Sequence, residues 1–101
     1  MGKTEVKTRL QRAVKDMPHS GAIKSLALFG SYVNGTSGHE SDVDVLIEFM
    51  PNATVGFFKL AQIQRSLRDF LGKKVDLLTP EAISKYFRNE VLGEAEQVYE
   101  K

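Results

Sequence analysis

The chain has 101 residues, of which 14 are basic and 13 acidic, for a net charge of +1, and it has no cysteine. That length suits one domain, expected here over residues 1–101. The near-neutral charge argues against a strongly basic nucleic-acid surface, and the lack of cysteine excludes disulfides, thiolate metal sites and a thiol nucleophile. Apolar residues at 42% and charged residues at 27% are ordinary globular usage and argue against disorder. No apolar run approaches the ~20 residues that cross a bilayer. Residues Met1 to Val6 lack the apolar segment of a secretory signal. A soluble cytoplasmic protein with no membrane association and no direct nucleic-acid binding is expected.

Val6, Leu10, Ala13, Val14 and Met17 recur at helical spacing and predict an amphipathic helix over about residues 4–17, ended by Pro18 and Gly21. Ile23 to Phe29 is a short apolar run closed by Gly30, which favours a buried strand. Residues 30–41 carry three glycines and three serines and read as a loop, with room for one helical turn around Tyr32. Val43, Val45, Ile47 and Phe49 alternate with Asp44, Leu46 and Glu48, the clearest strand in the chain. Phe57, Leu60, Ala61, Gln64, Leu67 and Leu71 fit one face of a helix, with Gly72 as its C-cap. Val75 to Leu78 is a third strand. Thr79 and Pro80 read as the cap and first position of a last helix reaching about Ala95, interrupted near Asn89. Gln97 to Tyr99 suits a short edge strand. The order predicts an α/β (α+β) fold, a small mixed sheet covered by helices on one face.

Asp42 and Asp44 open the clearest strand. Side chains alternate along a strand, so the two carboxylates share a face with Cβ atoms ~7 Å apart, while Val43 and Val45 point into the core. Two such carboxylates repel unless a cation lies between them, and an all-oxygen ligand set suits Mg²⁺. Alone, the pair is a weak signal and better fits a polar strand end facing water. Its context adds weight. Phe29-Gly30-Ser31 ends the preceding strand, ten residues before Asp42. Gly30 lets a phosphate approach the backbone, where amides and the Ser31 hydroxyl can donate hydrogen bonds. Asp76 interrupts the third apolar strand, a costly place for a charge buried alone. If that strand neighbours the second, Asp76 reaches the same site. Three carboxylates can hold two Mg²⁺ ions ~3.5–4 Å apart that grip a phosphate during in-line displacement.

Leu28-Phe29-Gly30-Ser31 followed after ten residues by Asp42-Val43-Asp44 resembles the signature of the DNA polymerase β-like nucleotidyltransferase superfamily, and most closely its minimal nucleotidyltransferase (MNT) branch. Lys74-Val75-Asp76-Leu77-Leu78-Thr79-Pro80 resembles that branch's third-carboxylate strand. The segment from Asn89-Glu90-Val91-Leu92 to Val98-Tyr99-Glu100 has its look as well. The resemblance spans about residues 20–100, the expected core of a single minimal nucleotidyltransferase domain.

The resemblance implies transfer of a nucleoside monophosphate, AMP from ATP, with two Mg²⁺ ions as cofactors. Asp42 and Asp44 would ligate both ions, and Asp76 would ligate the catalytic ion and help activate the acceptor hydroxyl. Gly30 and Ser31 would hold the phosphates of the nucleotide. It also implies a partner, a helical HEPN-type toxin bound in a hetero-oligomer, with a toxin tyrosine as acceptor and this chain as antitoxin. Two other readings stand beside it: a non-catalytic subunit that neutralises or supports its partner by contact, and nucleotidyl transfer to a small molecule. One departure is visible. Many relatives carry arginine where this chain has Asn34, which touches triphosphate affinity and leaves the metal ligands intact.

Other features read blandly. Gly2-Lys3-Thr4 lacks the glycine loop of a phosphate-binding motif. His19 and His39 fit solvated loops, though His39 lies near enough in sequence to touch nucleotide. Lys73 and Lys74 fit a solvated turn. The consecutive pairs Phe57-Phe58 and Tyr86-Phe87 cannot each face one core, so one ring of each is open to a pocket or partner surface, with ordinary packing an equal alternative.

Overall fold

The computed structural model describes residues 2–35 and 42–101; His39 and Ser41 lie outside them. Helix α1 (Lys3–Asp16) buries Val6, Leu10, Ala13 and Val14, the stripe its spacing predicts. Glu5 sits in its first turn and Lys15 in its last, each complementing the helix dipole. The helix stops where Met17 turns extended ahead of Pro18, its N–H still bonded to the Ala13 carbonyl at 3.0 Å.

Strands β1 (Ile23–Phe29), β2 (Val43–Phe49), β3 (Val75–Leu78) and β4 (Glu96–Glu100) form one sheet in the order β3-β2-β1-β4. β1 pairs antiparallel with β2 and β4, and β2 pairs parallel with β3 through helix α3 (Phe57–Leu71). One sheet face carries Leu26, Leu28, Val43, Val45, Ile47, Val75, Leu77 and Val98, which form a single core with the buried residues of α1 and with Ile63, Leu67 and Leu71 of α3. Each fully buried aliphatic side chain there stabilises the fold by roughly 1.5–3 kcal/mol. Arg9 ties the two helices together: it pairs with Glu5 at 2.9 Å and donates to the Leu71 carbonyl at 3.4 Å. Gly72 ends α3 in the left-handed conformation, as its C-cap reading requires.

Three expectations are corrected. The buried stripe of α3 runs through Ile63, Leu67 and Leu71, while Phe57 and Ala61 are exposed. A helix ~22 Å long lies over a strand only ~13 Å long, so its first turn overhangs the core. The last helix does not begin at Thr79. Pro80–Ala82 make a single 3-10 turn, and Ile83 is extended. Helix α4 (Lys85–Glu94) then starts at Ser84, whose hydroxyl oxygen accepts the Tyr86 N–H at 3.4 Å, and it runs through Asn89 unbroken. Finally, not every helix lies on one face. Leu92 and Ala95 border a cavity of about 200 Å³ together with Ala27 and Leu46, which point away from the α1/α3 core. α4 therefore serves the opposite sheet face. Among the described residues, no helix is long and apolar enough to cross a membrane.

Candidate functional site

The topology brings three sequence-distant segments to one end of the sheet. β1 ends there at Phe29, and the parallel strands β2 and β3 begin there. Asp44 stands opposite Phe29 on one side and opposite Asp76 on the other. In a parallel pair, register partners project to the same face. The carboxylates of Asp44 and Asp76 thus share the face opposite the α1/α3 core. Asp42 lies two residues before Asp44, just ahead of β2, on that same alternation.

Gly30 follows β1 with φ +74° and ψ −144°. A Cβ built there would lie 2.2 Å from Asp44 Oδ2 and 3.0 Å from its Cγ. The carboxylate therefore occupies the space that any other residue's side chain would fill. Ser31 opens the short helix α2 (Ser31–Asn34). The Val33 and Asn34 amides both donate to the Gly30 carbonyl at 3.0 Å, which fixes the turn beside Asp44. Asn34 is exposed at the end of this turn.

The electrostatics follow from this packing. Burial raises the Asp44 pKa above 3.8, and the charges of Asp76 and Asp42 push it further the same way. The trio is thus close enough to repel. Among the described residues, however, no three such side chains are gathered tightly enough to form a ready-made ion cage. The donor chemistry, three carboxylates with one held against its preferred charge state, suits a hard divalent cation that would relieve the repulsion.

The sequence reading missed two residues here. Lys74 is not merely a solvated turn residue: its ammonium lies 3.7 Å from Asp42 Oδ2, and its carbonyl accepts the Val43 N–H at 3.0 Å. Lys73 sits over the Tyr32 ring at 5.8 Å. Tyr32 is buried, and its hydroxyl has no hydrogen-bond partner among the described residues. The only sequence signal was the position of the two lysines directly before the Asp76 strand. His19 lies away from this site and bonds Gln62 at 2.7 Å.

A mixed four-stranded sheet with carboxylates on adjacent strand starts, pressed against a glycine turn, has the architecture of a nucleotidyl-transfer domain. The chain belongs to the nucleotidyltransferase domain family, whose model matches residues 5–98. It is 38% identical over 80 residues to MJ1379 of Methanocaldococcus jannaschii, a candidate protein adenylyltransferase, covering 79% of this chain and 80% of that one. It is 28% identical over 90 residues to the protein adenylyltransferase MntA of Thermococcus cleftensis, covering 89% of each. Among solved structures, a candidate minimal nucleotidyltransferase superposes with a TM-score of 0.74 at 26% identity, covering 94% of both chains. A chain of the Shewanella oneidensis complex between a tri-AMPylated HEPN toxin and its MNT antitoxin superposes with a TM-score of 0.67 at 18% identity, covering 98% of this chain and 73% of that one. The latter likeness concerns the fold.

Proposed function

We propose that this nucleotidyltransferase moves AMP from ATP to a hydroxyl, a tyrosine of a HEPN toxin, with Mg²⁺ held by Asp42, Asp44 and Asp76, and so acts as an antitoxin. The observation that carries this reading is the register pair Asp44–Asp76 with Gly30 packed against Asp44. Bound divalent cations would neutralise phosphate charge and orient the α-phosphate for in-line attack. The chain's own residues do the rest. Gly30 leaves room for the Asp44 carboxylate beside the backbone, and the Ser31 hydroxyl donates to the phosphate oxygens. Because the Val33 and Asn34 amides are committed to Gly30, the backbone donors of this turn left for a phosphate are the Ser31 and Tyr32 amides. Asp76 draws the proton from the acceptor hydroxyl, whose oxygen attacks the α-phosphorus. The bond to the β-phosphate oxygen breaks and pyrophosphate leaves. Such chemistry asks mainly for positioning and charge neutralisation.

The partner and the protein acceptor are supported by relatives named as protein adenylyltransferases and by the occurrence of this fold in a toxin–antitoxin complex. The test is transfer of label from α-labelled ATP with Mg²⁺ to a HEPN-domain protein from the same genome. Labelled toxin, lost when Asp42→Ala and Asp44→Ala are combined, is the expected result. A tight complex that never acquires label would leave a non-catalytic subunit as the function.

A further inference from the structure

The carboxylates share the sheet face opposite α1 and α3, and that face continues past them. Phe29 pairs with Asp44, and Asp44 with Asp76. Two residues further along each strand, Ala27 pairs with Leu46, and Leu46 with Leu78. Side chains return to the same face every second residue, so this second row runs beside the carboxylate row, two strand rises or about 7 Å away. Gln97 of β4 pairs with Ala27 and extends the row.

The second row is not filled. Ala27 puts a single methyl group at its centre, and Ala95, where α4 gives way to β4, adds only another. Between them and the side chains of Leu46 and Leu92 lies the cleft of about 200 Å³. Leu92 is 39% exposed, unusual for a leucine that borders a sheet face. A cavity of ~150 Å³ with aliphatic walls takes up benzene, so this cleft has room for one six-membered ring. Its rim is mixed in sign, with Glu48 and Glu100 against Lys24. Size and the apolar floor therefore select the occupant, not charge.

The chemistry decides which ring enters. In-line displacement sets the attacking and leaving oxygens on opposite sides of the α-phosphorus. The pyrophosphate side is the Ser31 turn, which follows the end of β1. With the α-phosphorus at the carboxylate row, the attacking oxygen arrives from the other side, that of Ala27 and Leu46. The oxygen that joins adenosine to the α-phosphorus is equatorial in this arrangement. Adenosine therefore projects sideways and leaves the line of attack open.

We propose that this cleft is the acceptor pocket, and that it takes the phenol ring of a tyrosine on the partner protein and directs its hydroxyl to Asp76. This rests on the nucleotidyl-transfer reading made above and deepens it. A phenol laid on the Ala27–Leu46 floor and pointing along the strands carries its oxygen across the ~7 Å to the carboxylate row. A serine or threonine hydroxyl, one carbon from its main chain, does not span that distance. The phenol oxygen bonds to the α-phosphorus, its proton passes to Asp76, and the bond to the β-phosphate oxygen breaks.

The experiment fills the cleft. Ala27→Leu and Ala95→Leu each add three carbons to it from different elements; Ala95 lies outside the strands, and thermal unfolding verifies that each variant folds. Label transfer from α-labelled ATP is measured against the concentration of a HEPN-domain protein from the same genome, and ATP affinity is measured by calorimetry. The labelled residue is mapped by mass spectrometry. The expected result is label on a tyrosine, a kcat/KM for the HEPN protein lower by roughly tenfold or more in both variants, and ATP affinity within twofold of wild type. Transfer within twofold of wild type in a folded variant overturns the proposal and leaves the nucleotidyl-transfer reading intact. So does ATP affinity that falls in step with transfer, because the cleft then holds the base. Label on a serine or threonine overturns it as well. A wild-type chain that binds ATP and the HEPN protein but transfers no label overturns both readings.

Discussion

Replacing Gly30 by alanine tests the site at its tightest point. The backbone at φ +74° and ψ −144° is one that side-chain-bearing residues rarely adopt, at a cost of about 1–3 kcal/mol. The new Cβ would also start 2.2 Å from Asp44 Oδ2, so the carboxylate must retreat by roughly 1 Å, and a misplacement of that size costs on the order of 10²-fold in rate. At ~4–8 °C per kcal/mol for a domain of this size, the melting temperature should fall by roughly 4–24 °C. Gly35→Ala is the control: Gly35 has φ +77°, but none of the described residues comes within 4 Å of its Cβ position, so backbone strain of about 1 kcal/mol is expected. Urea unfolding and AMP transfer are measured on both. If Gly30→Ala and Gly35→Ala lose equal stability and equal transfer, contact with Asp44 is not what makes Gly30 necessary. A double-mutant cycle sharpens the point, because Asp44→Ala removes the clashing oxygen and should return part of the Gly30→Ala cost.

Three other outcomes follow from the same geometry. Asp44→Asn should raise the melting temperature at pH 7. The wild-type pKa is raised from 3.8 in the folded state, so the charged form opposes folding; the advantage of Asn shrinks as pH falls through the folded pKa and vanishes below 3.8, and thermal melts across that range would expose a wrong sign. Ser31→Ala should weaken ATP binding by about 1–3 kcal/mol if the hydroxyl bonds charged phosphate; unchanged affinity by calorimetry removes Ser31 from the site. Tyr32→Phe deletes a buried hydroxyl that has no partner among the described residues and should leave stability unchanged or raise it by up to ~1 kcal/mol, whereas a clear loss in urea unfolding would reveal a bond the hydroxyl makes in solution.

What could be read from the chain depended on what encoded it. β1 and β3 fall where their apolar runs place them, because a buried strand bounded by glycine or proline writes its limits locally. The alternation of β2 was enough to put Asp42 and Asp44 on one face. That Asp76 joins them needed the parallel register Asp44↔Asp76, a pairing between segments more than thirty residues apart, and the family resemblance supplied what periodicity could not. Lys74 stayed invisible for the same reason: its partner, Asp42, is a neighbour only across the β2–β3 pairing.

The aromatic pairs failed in the opposite way. A helical wheel assigns Phe57 to the buried stripe because it counts rotation and not length, yet α3 outruns the strand beneath it and its first turn has no core to enter. The wheel likewise cannot see that Pro80 starts only a single turn, and that the chain must extend through Ile83 before Ser84 can cap α4. Both misreadings fall at the end of the sheet away from the carboxylates, where four rings remain in water. Leaving Phe57, Phe58, Tyr86 and Phe87 bare beside Lys59 and Lys85, with no acid in either first turn, lowers solubility and opposes two helix dipoles. The local rules of helix design are broken twice at one end of one domain, in the same way both times.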